Sequence, residues 1–248
     1  MFPIAHAYLM ERIFANPTSA HYLGCVWPDM LFDGPLTHHQ THREGLALLD
    51  FARTDAPEIL PFVRAALTHM AEPHGFDWYS DEGYEPGAER GYAFERARPF
   101  VADVVAATGV DPELGWWKAH NFTEMSFEVG LGRVYPHLGR AVADACGDAA
   151  LVRMVTAPLA RHFGVPADAL AANITNFPKS VALVDPTSEA LSEAYTLQLE
   201  FKHGVKSPNV AAMANIIDRL WGAIAPDRDA FLAFAVREVA AMLAGMAD

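Results

Sequence analysis

Of the chain's 11 histidines, seven fall within the first 74 residues: His6, His21, His38, His39, His42, His69 and His74. Imidazole is the commonest metal ligand and the usual proton carrier near neutral pH, so this crowding points to a metal or acid–base site. His38, His39 and His42 are the densest group. At helical spacing His38 and His42 share a face, and His39 and His42 are also neighbours. A polar helix start, with Thr37, Gln40 and Thr41, explains them equally well. His69 closes an apolar stretch (Phe62, Val63, Ala65, Ala66, Leu67) and is followed by Glu72, His74 and Asp77. There it either ligates or interacts with the negative end of a helix dipole. His120 and Glu124 lie one turn apart and could close on one cation. Such a pair arises by chance roughly once in a chain of this composition. Asp29, between Trp27-Pro28 and Met30-Leu31-Phe32, is a carboxylate in apolar surroundings. It needs a metal, a histidine or a turn to cap. His6 stands alone on the apolar face Ile4 to Leu9, the ordinary setting of a core histidine.

The elements that must position these groups read as helices throughout. Ala and Leu abound, alternating β-branched runs are nearly absent, and Pro and Gly punctuate at short intervals. The punctuation predicts helices over residues 3–15, a short one ending near Gly24, then a turn at Trp27-Pro28-Asp29, then 37–51 and a helix from Pro57 or Pro61 to Pro73. Further helices are predicted over 90–108, 112–130, 135–146, 149–163, 166–177, 186–203, 208–221 and 226–244. Between His74 and Gly91 the helical pattern fails. Glycines, Pro86, Asp77, Asp81, Glu82 and Glu85 spell an acidic loop of the kind that often carries function. One all-α multi-helix bundle over residues 1–248 is expected, its metal-site half at 1–130 and supporting helices at 131–248.

Composition excludes several classes. With 18 Lys+Arg against 31 Asp+Glu, the net charge of −13 lacks the basic footprint that nucleic acid requires. No stretch is long and apolar enough to span a bilayer. The first 14 residues carry no secretory pattern, so a cytoplasmic protein is expected. Cys25 and Cys146 can form neither a disulfide framework nor a thiolate zinc site, and read as small core residues. The nucleophile-elbow, phosphate-loop and C-x-x-C motifs are absent, as is any His-Asp dipeptide.

Taken in order, the segment Ala5-His6-Ala7-Tyr8-Leu9, the run Tyr22-Leu23-Gly24-Cys25-Val26-Trp27-Pro28-Asp29, a histidine in the next helix, a central histidine ahead of an acidic stretch and the late His120-Asn121-Phe122-Thr123-Glu124 form a pattern. Over about residues 3–130 it resembles the zinc-dependent phospholipase C family in its short prokaryotic form, the Leu-Gly-x3-Pro-Asp run being the most specific element. The resemblance implies an all-α, phospholipase C/nuclease-like bundle that uses zinc to hydrolyse phosphodiesters. It also implies His6, Asp29, His42, His69, His120 and Glu124 as metal ligands, with His39 a competing register for His42 and Asp29 also touching the attacking water. The sequence departs from the family at two places. An Asp is expected four residues after the central His, but Pro73 stands there, and Glu72, His74 and Asp77 lie at other spacings. A second His shortly before His120 is also missing. One zinc, or two in an altered shell, is therefore expected.

The resulting expectation is a zinc-dependent phosphodiester hydrolase with Asp29 or Asp77 as general base. Its substrate would be a small phosphoester or a lipid headgroup. Arg90, Arg96 or Arg98 could clamp a phosphate, and Trp78, Tyr79, Trp116 and Trp117 could line a groove. The rival expectations are a non-catalytic helical binding protein on the same scaffold and an HD-like phosphohydrolase acting on nucleotides.

Overall fold

Proline and glycine punctuation sets most of the helix boundaries in the computed structural model, which describes residues 2–31 and 34–246. Met1 and Phe32, which the sequence reading touched on, lie outside the described residues. The chain opens with α1 (Pro3–Ile13), α2 (Ser19–Gly24), α3 (Trp27–Leu31), α4 (His38–His42), α5 (Gly45–Thr54) and α6 (Leu60–Leu67). A π-helical turn, Trp78–Glu82, precedes α7 (Tyr92–Ala97), α8 (Val101–Thr108) and the long α9 (Gly115–Val134). The rest is α10 (His137–Gly147), α11 (Ala149–Phe163), α12 (Ala167–Ser180), α13 (Ser188–His203), α14 (Val210–Ala223) and α15 (Arg228–Ala244). The described residues contain no strand, and none of their helices is long and apolar enough to cross a membrane.

Three sequence expectations give way. Trp27-Pro28-Asp29 is the start of a short helix, not a turn, with Pro28 in the first turn where its missing N–H costs nothing. The single helix over 37–51 is broken in two at Arg43, whose guanidinium ion-pairs with Glu72 and Glu82. Within the acidic stretch, Trp78–Glu82 winds into a π turn, a form enriched at functional sites.

Helix α9 lies between two apolar cores. Phe127 and Leu131 belong to the larger one, built from α1, α2, α5, α6, α10, α11 and α15. Ala119, Phe122, Met125 and Val129 belong to a second, shared with α8, α13 and α14. Glycine permits one close crossing: a Cβ on Gly24 would come within 2.1 Å of the Phe62 carbonyl oxygen, so α2 rides directly on α6. Cys25 and Cys146 are both buried free thiols.

The start of α1 is fixed to α9 by a buried carboxylate. Glu128, 2 % exposed, accepts hydrogen bonds from the backbone N–H groups of Ile4 and Ala5, both at 2.9 Å. It satisfies two of the donors that a helix start leaves unpaired. His120 and Glu124 lie on the same face of α9, so this clamp also sets His6 opposite them. Glu128→Ala should lower unfolding stability by about 2–4 kcal/mol, through two lost acceptors and a cavity. Glu128→Gln, which keeps one acceptor, should cost less; denaturant melts of both variants check this.

Candidate metal centre

Each histidine of the centre is aimed by its distal nitrogen. His69 follows α6 and is fully buried, with Nδ1 2.8 Å from the Cys25 carbonyl oxygen. That bond requires the proton on Nδ1 and leaves the Nε2 lone pair free to ligate, a usual arrangement behind metal-bound imidazoles. The close α2–α6 crossing at Gly24 brings Cys25 to this place, which gives the Leu23-Gly24 pair a physical role. His42, 3 % exposed at the end of α4, has Nδ1 2.8 Å from Thr41 Oγ1, so its Nε2 also faces inward. His6 is fully buried on α1 and stacks on His69 with ring centroids 3.5 Å apart.

The carboxylate expected four residues after His69 arrives by a longer route. The chain turns after His69, and Gly75 permits the turn, because a Cβ there would lie 2.5 Å from the Met70 carbonyl oxygen. Phe76 N–H then donates to Thr68 O at 2.8 Å and Asp77 N–H to His69 O at 3.0 Å. Asp77 is thereby returned beside His69 despite Pro73. Glu72, engaged with Arg43, and His74, stacked on Trp78, turn away from the centre.

The donor atoms have the spacing of a metal shell. Asp77 Oδ1 lies 3.3 Å from His6 Nε2, and Asp77 Oδ2 lies 3.1 Å from His69 Nε2 and 3.6 Å from His42 Nε2. Asp29 Oδ1 lies 3.5 Å from His42 Nε2 and 3.7 Å from His69 Nε2. Ligand atoms about 2.0–2.1 Å from a tetrahedral zinc sit about 3.3–3.4 Å from one another. Most of these separations exceed ordinary hydrogen-bond lengths and fall near that edge. His42, His69 and Asp77 thus suit one position, and His6, Asp29 and His69 an alternative one that shares His69. Asp77 presents its other oxygen to His6.

A further donor group lies beside this one. Asp81, one turn beyond Asp77 in the π turn, joins His120 and Glu124, their donor atoms all within 4.8 Å of one another. His120 and Glu124 are 6 % and 4 % exposed, and His120 stacks on Phe94 at 4.0 Å. Among the described residues His120 Nδ1 and one Asp81 oxygen are buried without a hydrogen-bond partner, a costly arrangement that a cation relieves. The described residues therefore offer three donor groups: His6, Asp29 and His69; His42, His69 and Asp77, which overlaps the first at His69; and, sharing no residue with either, Asp81, His120 and Glu124. Asp81 completes the third. The signal that could have found it is its i,i+4 spacing from Asp77, hidden because the segment reads as a loop.

Burial separates the three neighbouring histidines, with only His42 buried and within a donor group. His38 stacks on His42 at 4.0 Å from an exposed position, and His39, with a 69 % exposed side chain, faces Glu44. Of the proposed phosphate clamps, Arg96 pairs with Glu85 and Asp227, and Arg98 with Glu89 and Glu95, while Arg90 lies over Phe94. The centre opens into a cleft of about 680 Å³ lined by none of the three. Trp117 borders the cleft; Trp78, Tyr79 and Trp116 do not.

Electrostatics within the centre push most groups toward their neutral forms. Burial raises Glu124 well above the usual carboxylate range and lifts Asp81 to about 6. It likewise lowers His120, and together with the charge on His69 lowers His6 to about 3. Three groups go the other way: against their burial, the facing imidazoles hold Asp29 and Asp77 well below the usual carboxylate range, and His69 is raised. Burial lowers it, but Asp77 and Asp29 outweigh this and raise it to about 9.

Compared with protein-family models, curated proteins and solved structures, the chain matches no family model, no curated protein and no solved structure. The chemistry of the centre is therefore argued from its own geometry.

A cation at His69 Nε2 must displace the proton held there below about pH 9. Apparent zinc affinity should accordingly rise with pH, by about tenfold per unit between pH 6 and 8.5 for one proton released. Competition against a chromophoric chelator measures this. A flat profile would show that His69 is not a ligand.

Proposed function

We propose that the protein is a metal-dependent hydrolase of phosphodiesters, with zinc as the metal and a phospholipase C-like chemistry. The observation that carries this reading is the convergence of His6, Asp29, His42, His69, Asp77, Asp81, His120 and Glu124 into neighbouring donor groups, all but His6 and His69 lining one cleft. Mixed imidazole and carboxylate donors suit zinc better than the all-oxygen shells of calcium or magnesium. Adjacent cation positions sharing ligands suit the in-line displacement of an alkoxide from phosphorus. The cleft is in the size range for a small phosphoester or a lipid headgroup.

His42, His69 and Asp77 would hold one ion with Asp29 beside the two imidazoles, His6 would face the second Asp77 oxygen, and Asp81, His120 and Glu124 would hold another. Zinc there supplies charge neutralisation for the phosphodiester and acidifies water near neutral pH. The protein's own groups divide the remaining work. Asp77 has imidazoles on both oxygens and an 8 % exposed side chain, so it holds and does not transfer protons. Asp29 is 35 % exposed and borders the cleft, so it is the carboxylate placed to take a proton from the attacking water. The buried rings of His6 and Phe94, stacked on His69 and His120, keep bulk water from the backs of the ligands.

Purified protein should contain zinc at near-stoichiometric or higher levels by elemental analysis. It should hydrolyse bis(p-nitrophenyl) phosphate, lose that activity to a chelator and regain it with zinc. Asp77→Asn and His120→Ala should each lower bound zinc and reduce activity by about 100-fold or more. Asp29→Asn should reduce kcat by about 10²–10⁴. Stoichiometric zinc without hydrolysis of any phosphodiester would instead favour a helical binding protein.

A further inference from the structure

The far end of the cleft has the opposite electrical character. The chain has only four lysines, Lys118, Lys179, Lys202 and Lys206, and the first three lie on helices that line it. Lys118 of α9 and Lys202 of α13 line the cleft. Lys179 of α12 donates from Nζ to Asn176 Oδ1 at 2.8 Å, and Asn176 is itself a lining residue. Lys206 follows the end of α13 by three residues.

Lys118 is the informative one. It is 7 % exposed, lines the cleft and pairs with no carboxylate among the described residues. A buried ammonium without a counter-ion is costly, and a like charge beside it costs more. Lys118 has that neighbour: burial first, then the charge of Lys202, lowers it to about 8. His203 completes the group, for burial and the charges of Lys118 and Lys202 hold it below its ordinary value. Across the same space, Asn121 Nδ2 donates to Tyr195 Oη at 3.1 Å, giving a polar wall. Lys118, Asn121 and Glu124 are spaced by three along α9, so the backbone positions of Lys118 and Glu124 lie about 9 Å apart along the helix axis.

We propose that Lys118, Lys202 and His203 form an anion subsite, so that the substrate is a phosphodiester carrying a second phosphate or comparable anion on the same molecule. This rests on the hydrolase reading for the identity of the first group, and it narrows that reading. A headgroup bearing a quaternary ammonium meets like charge at this end of the cleft. A bisphosphorylated nucleoside or a phosphorylated inositol headgroup meets complementary charge at both ends. Lysine, a compact charge on a flexible stem, suits a phosphate whose orientation is set elsewhere.

Two measurements on the full-length purified protein test the subsite. In the first, sulfate is titrated by calorimetry into wild type and Lys118→Met, with thermal melts of each. Wild type should bind sulfate, the variant should bind it about tenfold or more weakly, and the variant's Tm should equal or exceed that of wild type, since an unpaired buried charge is gone. Equal sulfate binding by both proteins, or none by wild type, would overturn the subsite. In the second, hydrolysis is compared within two substrate pairs: the 5′-p-nitrophenyl ester of thymidine 5′-phosphate with and without a 3′-phosphate, and vesicles containing phosphatidylinositol with and without a 4-phosphate. The doubly phosphorylated member of at least one pair should have a KM about tenfold lower, a gap that Lys118→Met closes. The pair that shows the gap distinguishes a soluble substrate from a lipid one. Hydrolysis in both pairs with no gap in either overturns the subsite and leaves the hydrolase reading standing. Sulfate bound by wild type and lost in Lys118→Met, with all four esters untouched, supports the subsite and overturns the hydrolase reading.

Discussion

Buried negative charge is the constraint on which the arrangement turns. Asp77, Glu124 and Glu128 are each 6 % exposed or less, and Asp81 is half-buried among them. Taking a carboxylate out of water costs several kcal/mol unless positive charge or hydrogen bonds replace the lost solvation. Glu128 finds its replacement in the first N–H groups of α1. Asp77 finds part of its own in His69, whose raised pKa is the signature of one imidazolium shared between Asp77 and Asp29. One imidazolium answers only part of this buried charge: burial pushes Asp81 and Glu124 toward protonation and drives His6 and His120 neutral. A divalent cation resolves the imbalance in the protonation states that the donors themselves need: ionised carboxylates and neutral imidazoles.

The rest of the fold is what holds those groups against their mutual repulsion. Helix α9 is buried along most of its length by two apolar cores, so the row His120, Glu124 and Glu128 cannot rotate toward water. Helix α1 is held to it at its first turn, which fixes His6. Two glycines then decide the other half of the centre. At Gly24 the absence of a side chain lets α2 touch α6 and orient His69; at Gly75 it lets the chain return and deliver Asp77. The π turn places Asp77 and Asp81 one turn apart, so a single short element serves both donor groups.

The sequence made the helices legible where Pro and Gly mark their ends, as in α11, α13 and α15, because those residues act on the local backbone. It was misleading where tertiary contacts override local preference. The break at Arg43 depends on Glu72 and Glu82, some 29 and 39 residues away. The π turn depends on packing that no periodicity reveals. In the centre, His6, Asp29, His42, His69, His120 and Glu124 were named from residue type and order. Choosing His42 over His38 and His39 needed burial, since His38 shares its face. The detour around Pro73 was unreadable, because its length is set by a glycine turn and two backbone hydrogen bonds. Asp81 and the lysines of the cleft were missed for different reasons: the spacing of Asp81 from Asp77 has meaning only in a helical turn that the segment does not announce, and scattered lysines carry no spacing to read.

The opposed charges at the two ends of the cleft also bear on how an anion reaches a chain of net charge −13. Over distances beyond about 8–10 Å at physiological salt the overall repulsion is largely screened, and the local field inside a low-dielectric cleft decides. The cleft that the carboxylate-rich donor groups line also carries Lys118 and Lys202. Attraction there offsets the acidity of the surrounding surface. It also orients the substrate, because one anion held near Lys118 leaves the other free to travel along the row toward Glu124. The same lysines explain why so acidic a chain need not exclude anionic substrates: two of its four compact cations line the cleft, whereas Arg43, Arg96, Arg98 and Arg219 are engaged elsewhere in pairs with carboxylates.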